Sequence, residues 1–135
     1  MILLDTNIVA ELSRPHPDPN VERWAATVKP PFALSVVSVE EVRYGLSRRP
    51  LQRAESWFSE FLPVFCDVLP VTEAIARRAG DLRGHFQETG ETRTQADMLV
   101  AATALEHQLP LATRNSRDFQ TCGVALVNPF AATLI

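Results

Sequence analysis

Lysine is almost missing from this chain: Lys29 is the single one among 13 basic residues, and the rest are arginines. Glycine is scarce at five residues and cysteine at two, with one tyrosine and three histidines in a length of 135. Each shortage closes off a kind of chemistry. The glycines form no phosphate-cradling G-x-x-x-x-G-K loop and no G-x-S-x-G elbow around a nucleophilic serine. Cys66 and Cys122 make no C-x-x-C pair, and His16, His85 and His107 are scattered without zinc spacing, so zinc is disfavoured. The two cysteines are expected as buried thiols rather than as a disulfide. No apolar run approaches the ~20 residues of a membrane span. The first residues carry neither a positive n-region nor a small-residue cleavage site. The expectation is a cytoplasmic protein without a membrane partner. A net charge of −3 argues against a strongly basic nucleic-acid binder. The arginines nevertheless cluster, as Arg43, Arg48, Arg49 and Arg53 and again as Arg77, Arg78 and Arg83. Arginine suits bidentate phosphate or carboxylate contacts, so such patches serve nucleic acid, an acidic protein partner, or simply solvated helix faces.

What is present has a clear order. A length of 135 with 46% apolar residues is one domain, 1–135, with a core of ordinary size. Ile2-Leu3-Leu4 reads as a short strand buried on both faces, as in a parallel sheet covered by helices. A short helix follows over about residues 6–13, and three prolines between Pro15 and Pro19 end it. A second helix runs from Asn20 to Lys29, and Phe32 to Val37 is a second buried strand. Ser38-Val39-Glu40-Glu41 has the form of a capping box opening a helix to about Gly45–Arg49. Pro50 suits the first turn of the next helix, whose Trp57, Phe58, Phe61 and Leu62 make an apolar stripe. Phe65 to Val71 is a third strand, with Pro70 marking its end or a sheet edge. Thr72 caps a helix stopped by Gly90, and Thr94 opens another whose stretch Met98–Leu105 should make it the most buried. A strand over Leu109–Thr113, a turn over Asn115–Phe119 and a strand over Val124–Val127 close the chain. Alternating strands and helices predict an α/β fold with a mainly parallel sheet and helices on both sides.

Carboxylates at element boundaries are the candidate chemistry. Asp5, Glu41, Asp97 and Asp118 each fall at a strand end or in the first turn of a predicted helix. Taken singly, Glu41, Asp97 and Asp118 are each explained as the acidic half of a helix start, three residues after Ser38, Thr94 and Asn115. Asp5 ends a buried strand, where a carboxylate needs a partner that Thr6 and Asn7 supply poorly. Ligand crevices open at the carboxyl ends of parallel strands. Acids converging there would repel one another, and a divalent cation removes that conflict. Oxygen ligands without His or Cys favour Mg²⁺ or Mn²⁺, which activate water for phosphodiester displacement without a nucleophilic side chain.

Several segments then resemble one family. They are Leu3-Leu4-Asp5-Thr6-Asn7, Ser35 to Gly45, Gln95-Ala96-Asp97 with Val100 to Ala104, Ala112-Thr113-Arg114-Asn115 with Asp118-Phe119, and the closing Asn128-Pro129-Phe130. In that order they resemble the PIN-domain ribonucleases, most closely the VapC-type toxins of bacterial toxin–antitoxin (VapBC) pairs and their FitB-like branch. The resemblance covers essentially the whole chain. It implies a three-layer α/β/α fold, a Mg²⁺-dependent endoribonuclease acting on RNA, a homodimer, and a VapB-like antitoxin whose tail fills the active-site groove. By the family's motifs Asp5 and Asp97 match the metal ligands and Glu41 the third acid. Glu41 is chosen over Glu40 because it stands four residues before Gly45. At the fourth place Asn115 stands where some relatives have an acid, and Asp118 takes the Asp of the Asn-x-x-Asp-Phe pattern. Thr6 and Thr113 are candidates for orienting ligands or water, with plain capping as the other reading. Arg43 and Arg114 are candidates for phosphate or partner acids. Two rivals stay open: a catalytically idle PIN-fold interaction module, and an aspartyl-nucleophile phosphohydrolase. The second rival lacks its usual second acid, since position 7 is Asn, and no lysine follows Lys29.

Overall fold

The apolar start does become the centre of a sheet. The computed structural model describes residues 1–131. Among these, β1 (Leu3–Leu4), β2 (Phe32–Ser35), β3 (Cys66–Leu69), β4 (Leu111–Ala112) and β5 (Leu126–Val127) lie side by side. The order is β3-β2-β1-β4-β5, and every pairing is parallel. Parallel neighbours need crossover connections. These are α1 (Thr6–Leu12) with α2 (Pro19–Thr27), α3 (Val36–Arg48) with α4 (Gln52–Phe65), and α5 (Glu73–Glu88) with α6 (Gln95–His107); the short turn α7 (Ser116–Phe119) precedes β5.

Strand alternation splits the core in two. Leu3, Ala33 and Leu111 point to one face, where they meet Ile75, Ala79 and Phe86 of α5, Met98 and Ala101 of α6, and Phe119. Leu4, Leu34 and Ala112 point to the other face, against Ile8, Val9, Phe58 and Phe61 from α1 and α4. The result is a three-layer α/β/α sandwich. Full burial of a Leu or Phe side chain is worth about 1.5–3 kcal/mol, so these two layers dominate the favourable side of folding. On the second face Trp24, Phe32, Phe61 and Trp57 form a chain of stacked rings with centroids 4.5–6.3 Å apart. The apolar, alanine-rich stretch of α6 is buried as expected, and its hydroxyl at Thr103 is satisfied by the Leu99 carbonyl at 2.7 Å.

Several boundaries differ from the sequence expectation; the fourth and fifth strands are shorter than expected, at Leu111–Ala112 and Leu126–Val127. The second strand stops at Ser35, whose hydroxyl accepts from the Val37 amide at 3.0 Å and caps α3 three residues earlier than Ser38 would. Val36, Val37 and Val39 look like strand residues, and β-branching does cost a helix a little. Packing overrides that cost here, because Val37 lies against one core layer and Val39 against the other. Pro50 stands before the α4 N-cap, Leu51, rather than in its first turn, and α4 runs through Pro63 to Phe65. The third strand ends at Leu69, and β3 is an edge of the sheet, as Pro70 implied. Cys66 and Cys122 are free thiols, and burial together with Asp67 pushes Cys66 up to about 12.

Strand order reverses around β1, with β2 and β3 on one side and β4 and β5 on the other. In open parallel sheets the crevice forms at such a switch point, outside the carboxyl ends of the strands. Asp5 directly follows β1, and Thr113 directly follows β4.

Candidate active site

Asp5 continues the β1 ladder, donating its amide to the Ala112 carbonyl at 2.9 Å, and then caps α1. Its Oδ1 accepts from the Thr6 amide at 2.8 Å, and its Oδ2 accepts from the Thr113 hydroxyl at 2.7 Å and from Asn7 Nδ2 at 3.3 Å. Thr113 is therefore the partner that the local sequence did not supply. It is fully buried, and its hydroxyl oxygen in turn accepts from the Asn115 amide at 3.0 Å. Asn7 links the two strand ends again by accepting from the Arg114 amide at 3.2 Å. Only 5% of Asp5 is exposed. Burial raises its pKa above the usual carboxylate value, the Thr113 and Thr6 hydrogen bonds oppose the rise, and the charges of Asp97 and Glu41 add to it.

Glu41 reaches the same rim from the second turn of α3. With Ser35 as the N-cap, Ser38 and Glu41 do not form a capping box; both belong to the body of the helix, one turn apart. The Thr6 hydroxyl donates to Glu41 Oε1 at 2.6 Å and lies 2.9 Å from the Ser38 hydroxyl. Thr6 has one hydroxyl proton, and Glu41 takes it, so Ser38 donates to Thr6. Ser38 is fully buried. It was expected only as a cap; its i, i+3 relation to Glu41 is the signal that both face one way. Glu40 is exposed and lines a separate shallow depression with Val36, Val37 and Gln95.

Asp97 stands in the first turn of α6, where its amide donates to the Thr94 hydroxyl at 3.1 Å. Burial raises its pKa; Thr94 opposes that, the charges of Asp118 and Glu41 add to it, and Arg93 lowers it. Asp118 lies in α7, its amide bonded to the Asn115 carbonyl at 3.0 Å. Asn115 is the N-cap of this turn by position and makes no side-chain cap bond. Arg114 lies over the Phe130 ring, 4.4 Å from its centroid. Arg43 pairs with Glu55, and Arg53 holds the Ser13 carbonyl at 2.5 Å.

Asp5 feels the charges of Asp97 and Glu41, and Asp97 those of Glu41 and Asp118, so Asp97 links Asp118 to the pair beside the end of β1. Two are anchored: Asp5 by Thr6 and Thr113, Glu41 by Thr6. The donor set is all oxygen, which suits a hard divalent cation. Among the described residues no three His, Cys, Asp or Glu side chains stand close enough to grip an ion as they are. Asp97 and Asp118 are half-buried, whereas Asp5 is buried. Beside Thr6 and Glu41 opens a cleft of about 220 Å³, walled by apolar Val9, Val42, Leu46, Trp57 and Phe58.

Comparison with known proteins yields one consistent group. The PIN domain family matches residues 2–123. The chain is 34% identical to the VapC ribonuclease Y4jK of Sinorhizobium fredii, covering 96% of this chain and 98% of that protein. It is 33% identical to Toxin FitB of Neisseria gonorrhoeae, with 96% and 99% covered. The crystal structure of FitAcB from Neisseria gonorrhoeae superposes with a TM-score of 0.84 at 31% identity, over 98% of this chain and 100% of that one.

Proposed function

The chain belongs to the PIN-domain family, and from that premise we propose that it is a metal-dependent endoribonuclease, the toxin of a VapBC-type toxin–antitoxin pair. The observation that carries the reading is the convergence of Asp5, Glu41 and Asp97 at the switch point, where the charges of neighbouring acids raise the proton affinity of Asp5 and Asp97. Carboxylates so arranged are costly unless a cation shares them. Mg²⁺ is the ion we assign, with Mn²⁺ as its substitute. When bound, such an ion supplies Lewis acidity and an activated water for displacement at phosphorus.

The protein's own groups divide the remaining work. Asp5 is the fixed ligand, its rotamer set from two sides by the Thr6 amide and the Thr113 hydroxyl. Asp97 is the second ligand. Glu41 has one oxygen engaged by Thr6, and its other oxygen would be the one to hold the ion or a water beside it. Asp118, with Asn115 beside it, completes the set. Asn at position 7 and the lack of any lysine after Lys29 disfavour Asp5 as a covalent nucleophile. An antitoxin tail in the groove is what the family resemblance implies, and the apolar cleft next to Glu41 offers room for one of its side chains. The chain as one PIN domain, 1–135, acts as a homodimer in the cytoplasm in this reading. No helix of the described residues is long and apolar enough to cross a membrane.

An idle interaction module of the same fold remains the second reading, favoured by Asn115 at an acid's place and by the ungathered carboxylates. Incubating purified protein with total RNA, with Mg²⁺ or with chelator and beside Asp5→Asn, separates the two. Discrete fragments from wild type with Mg²⁺ alone are expected. Cleavage that persists in Asp5→Asn contradicts the metal site. No cleavage by folded, inhibitor-free wild type moves the assignment to the interaction module.

A further inference from the structure

One cation stands in the wall of the acid cluster with no part in the roles above. Arg93 lies in the short link between Thr89, the C-cap of α5, and Thr94, the N-cap of α6. Its side chain is only 15% exposed. The guanidinium rests on the Phe86 ring, 4.7 Å from its centroid, and Phe86 is itself buried. Nε donates to the main-chain carbonyl of Asp118 at 3.1 Å, and Nη1 donates to the Thr92 carbonyl at 3.3 Å. The nearest acid, exposed Glu91, is a loose neighbour at 3.7 Å.

That choice of partner is unusual. A guanidinium beside carboxylates normally takes one of them in a bidentate fork. Here it grips a backbone oxygen instead. The Asp118 carboxylate is left free while the chain that carries it is pinned. The pin has mechanical sense, because α7 is a four-residue turn whose N-cap side chain makes no bond. Phe119 anchors it from below, and Arg93 ties its upper side to the segment that bears Asp97.

We infer that Arg93 is a positioning residue: by holding the Asp118 carbonyl, it sets the separation at which the Asp97 and Asp118 carboxylates close on one divalent cation. This rests on the metal-site reading above. Two influences of Arg93 have opposite sign, which makes them separable. Its charge alone disfavours an incoming cation, and its hydrogen bond favours one.

The test is calorimetric titration of Mn²⁺ into the full chain for wild type, Arg93→Gln, Arg93→Lys, Asp118→Asn and the double variant Arg93→Gln/Asp118→Asn. Circular dichroism accompanies each variant. Arg93→Gln is expected to weaken Mn²⁺ binding about tenfold, the scale of losses at groups that orient metal ligands. In the Asp118→Asn background the same change should move affinity by less than about twofold, because the carboxylate it places is gone. Arg93→Lys keeps the charge without the planar fork and is expected to weaken binding as Gln does. Tighter binding by Arg93→Gln would mean that charge outweighs the bond, and wild-type affinity in Arg93→Lys would mean that the planar donor at the Asp118 carbonyl is not needed; either would overturn the inference. Equal losses in both backgrounds would reduce Arg93 to general packing and overturn it too. Wild type that binds no Mn²⁺ overturns the metal reading and this inference together. Binding without coupling to Asp118 overturns the inference alone. If Arg93→Gln does not fold, Arg93→Lys carries the same cycle.

Discussion

Asp97→Asn is expected to cut metal-dependent RNA cleavage by about a thousandfold or more, the scale of losing several kcal/mol of transition-state charge stabilisation. The same substitution is expected to raise the melting temperature of the protein in chelator. The two effects share one cause. Burial, then the charges of Asp118 and Glu41, hold the Asp97 carboxyl above its ordinary value. A carboxyl whose folded-state pKa exceeds its unfolded one binds its proton more tightly in the folded chain. The stability this confers is fully present below the ordinary carboxylate range and is lost as pH rises through the raised folded value. Asp5, raised in the same direction chiefly by burial, adds to the same loss. Wild type without a cation is therefore penalised toward neutral pH, and the Asp97→Asn change removes the penalty at one of the two positions. Scanning calorimetry in chelator should find the melting-temperature advantage of Asp97→Asn opening as pH rises above the ordinary carboxylate range. Saturating Mn²⁺ should erase or reverse it, because the ion binds the deprotonated native site. A variant less stable than wild type at every pH in chelator would contradict this electrostatic description.

Phe119→Ala carries the largest expected cost in stability. Phe119 is fully buried beside α6 and Cys122, and it is the last residue of the turn that presents Asp118. Large-to-small changes at such a site cost about 3–5 kcal/mol, since the removed ring leaves a cavity that the packed neighbours only partly fill. That is a large share of the ~5–15 kcal/mol by which a domain of this kind is stable. Urea unfolding should show a midpoint well below wild type with an unchanged slope. Phe119→Leu should recover much of the loss. A Phe119→Ala midpoint equal to wild type would mean that α7 is not anchored through this ring.

Much of this was legible in the residues because buried parallel strands are apolar on both faces. Ile2-Leu3-Leu4 and Leu111-Ala112 announce themselves that way, and the alanine-rich run of α6 does so through its composition. Caps written in the local chain were also readable: Thr72 and Thr94 each hold the amide three residues on, at Ile75 and Asp97. Val36-Val37 was not readable, because its β-branched side chains favour a strand, while Val37 and Val39 pack on two core layers only as part of a helix. The partners of the acids were hidden for a different reason. Thr113 lies 108 residues from Asp5, and Glu41 lies 35 from Thr6, so neither bond leaves a periodic trace. Asn7 was read as a poor partner for Asp5 and Ser38 only as a cap, since their bonds to Arg114 and Thr6 form only once β1, β4 and α3 meet. Arg93 read as one arginine among many, and its hold on Asp118 spans 25 residues.

The most direct test of a water-activating metal site is the chemistry of the cut ends. RNA digested by wild-type protein with Mg²⁺ in ¹⁸O-labelled water, with products read by mass spectrometry, reports which oxygen attacked phosphorus. Attack by water with departure of the 3′-oxygen predicts a 5′-phosphate carrying one solvent oxygen and a free 3′-hydroxyl on the other fragment, with no product in chelator or from Asp97→Asn. A 2′,3′-cyclic phosphate would mean that the ribose 2′-hydroxyl attacked in place of a water, and the same fragments in chelator would mean that no metal is needed; the first contradicts a water-activating site and the second the assignment of Asp5, Glu41, Asp97 and Asp118 to a metal centre.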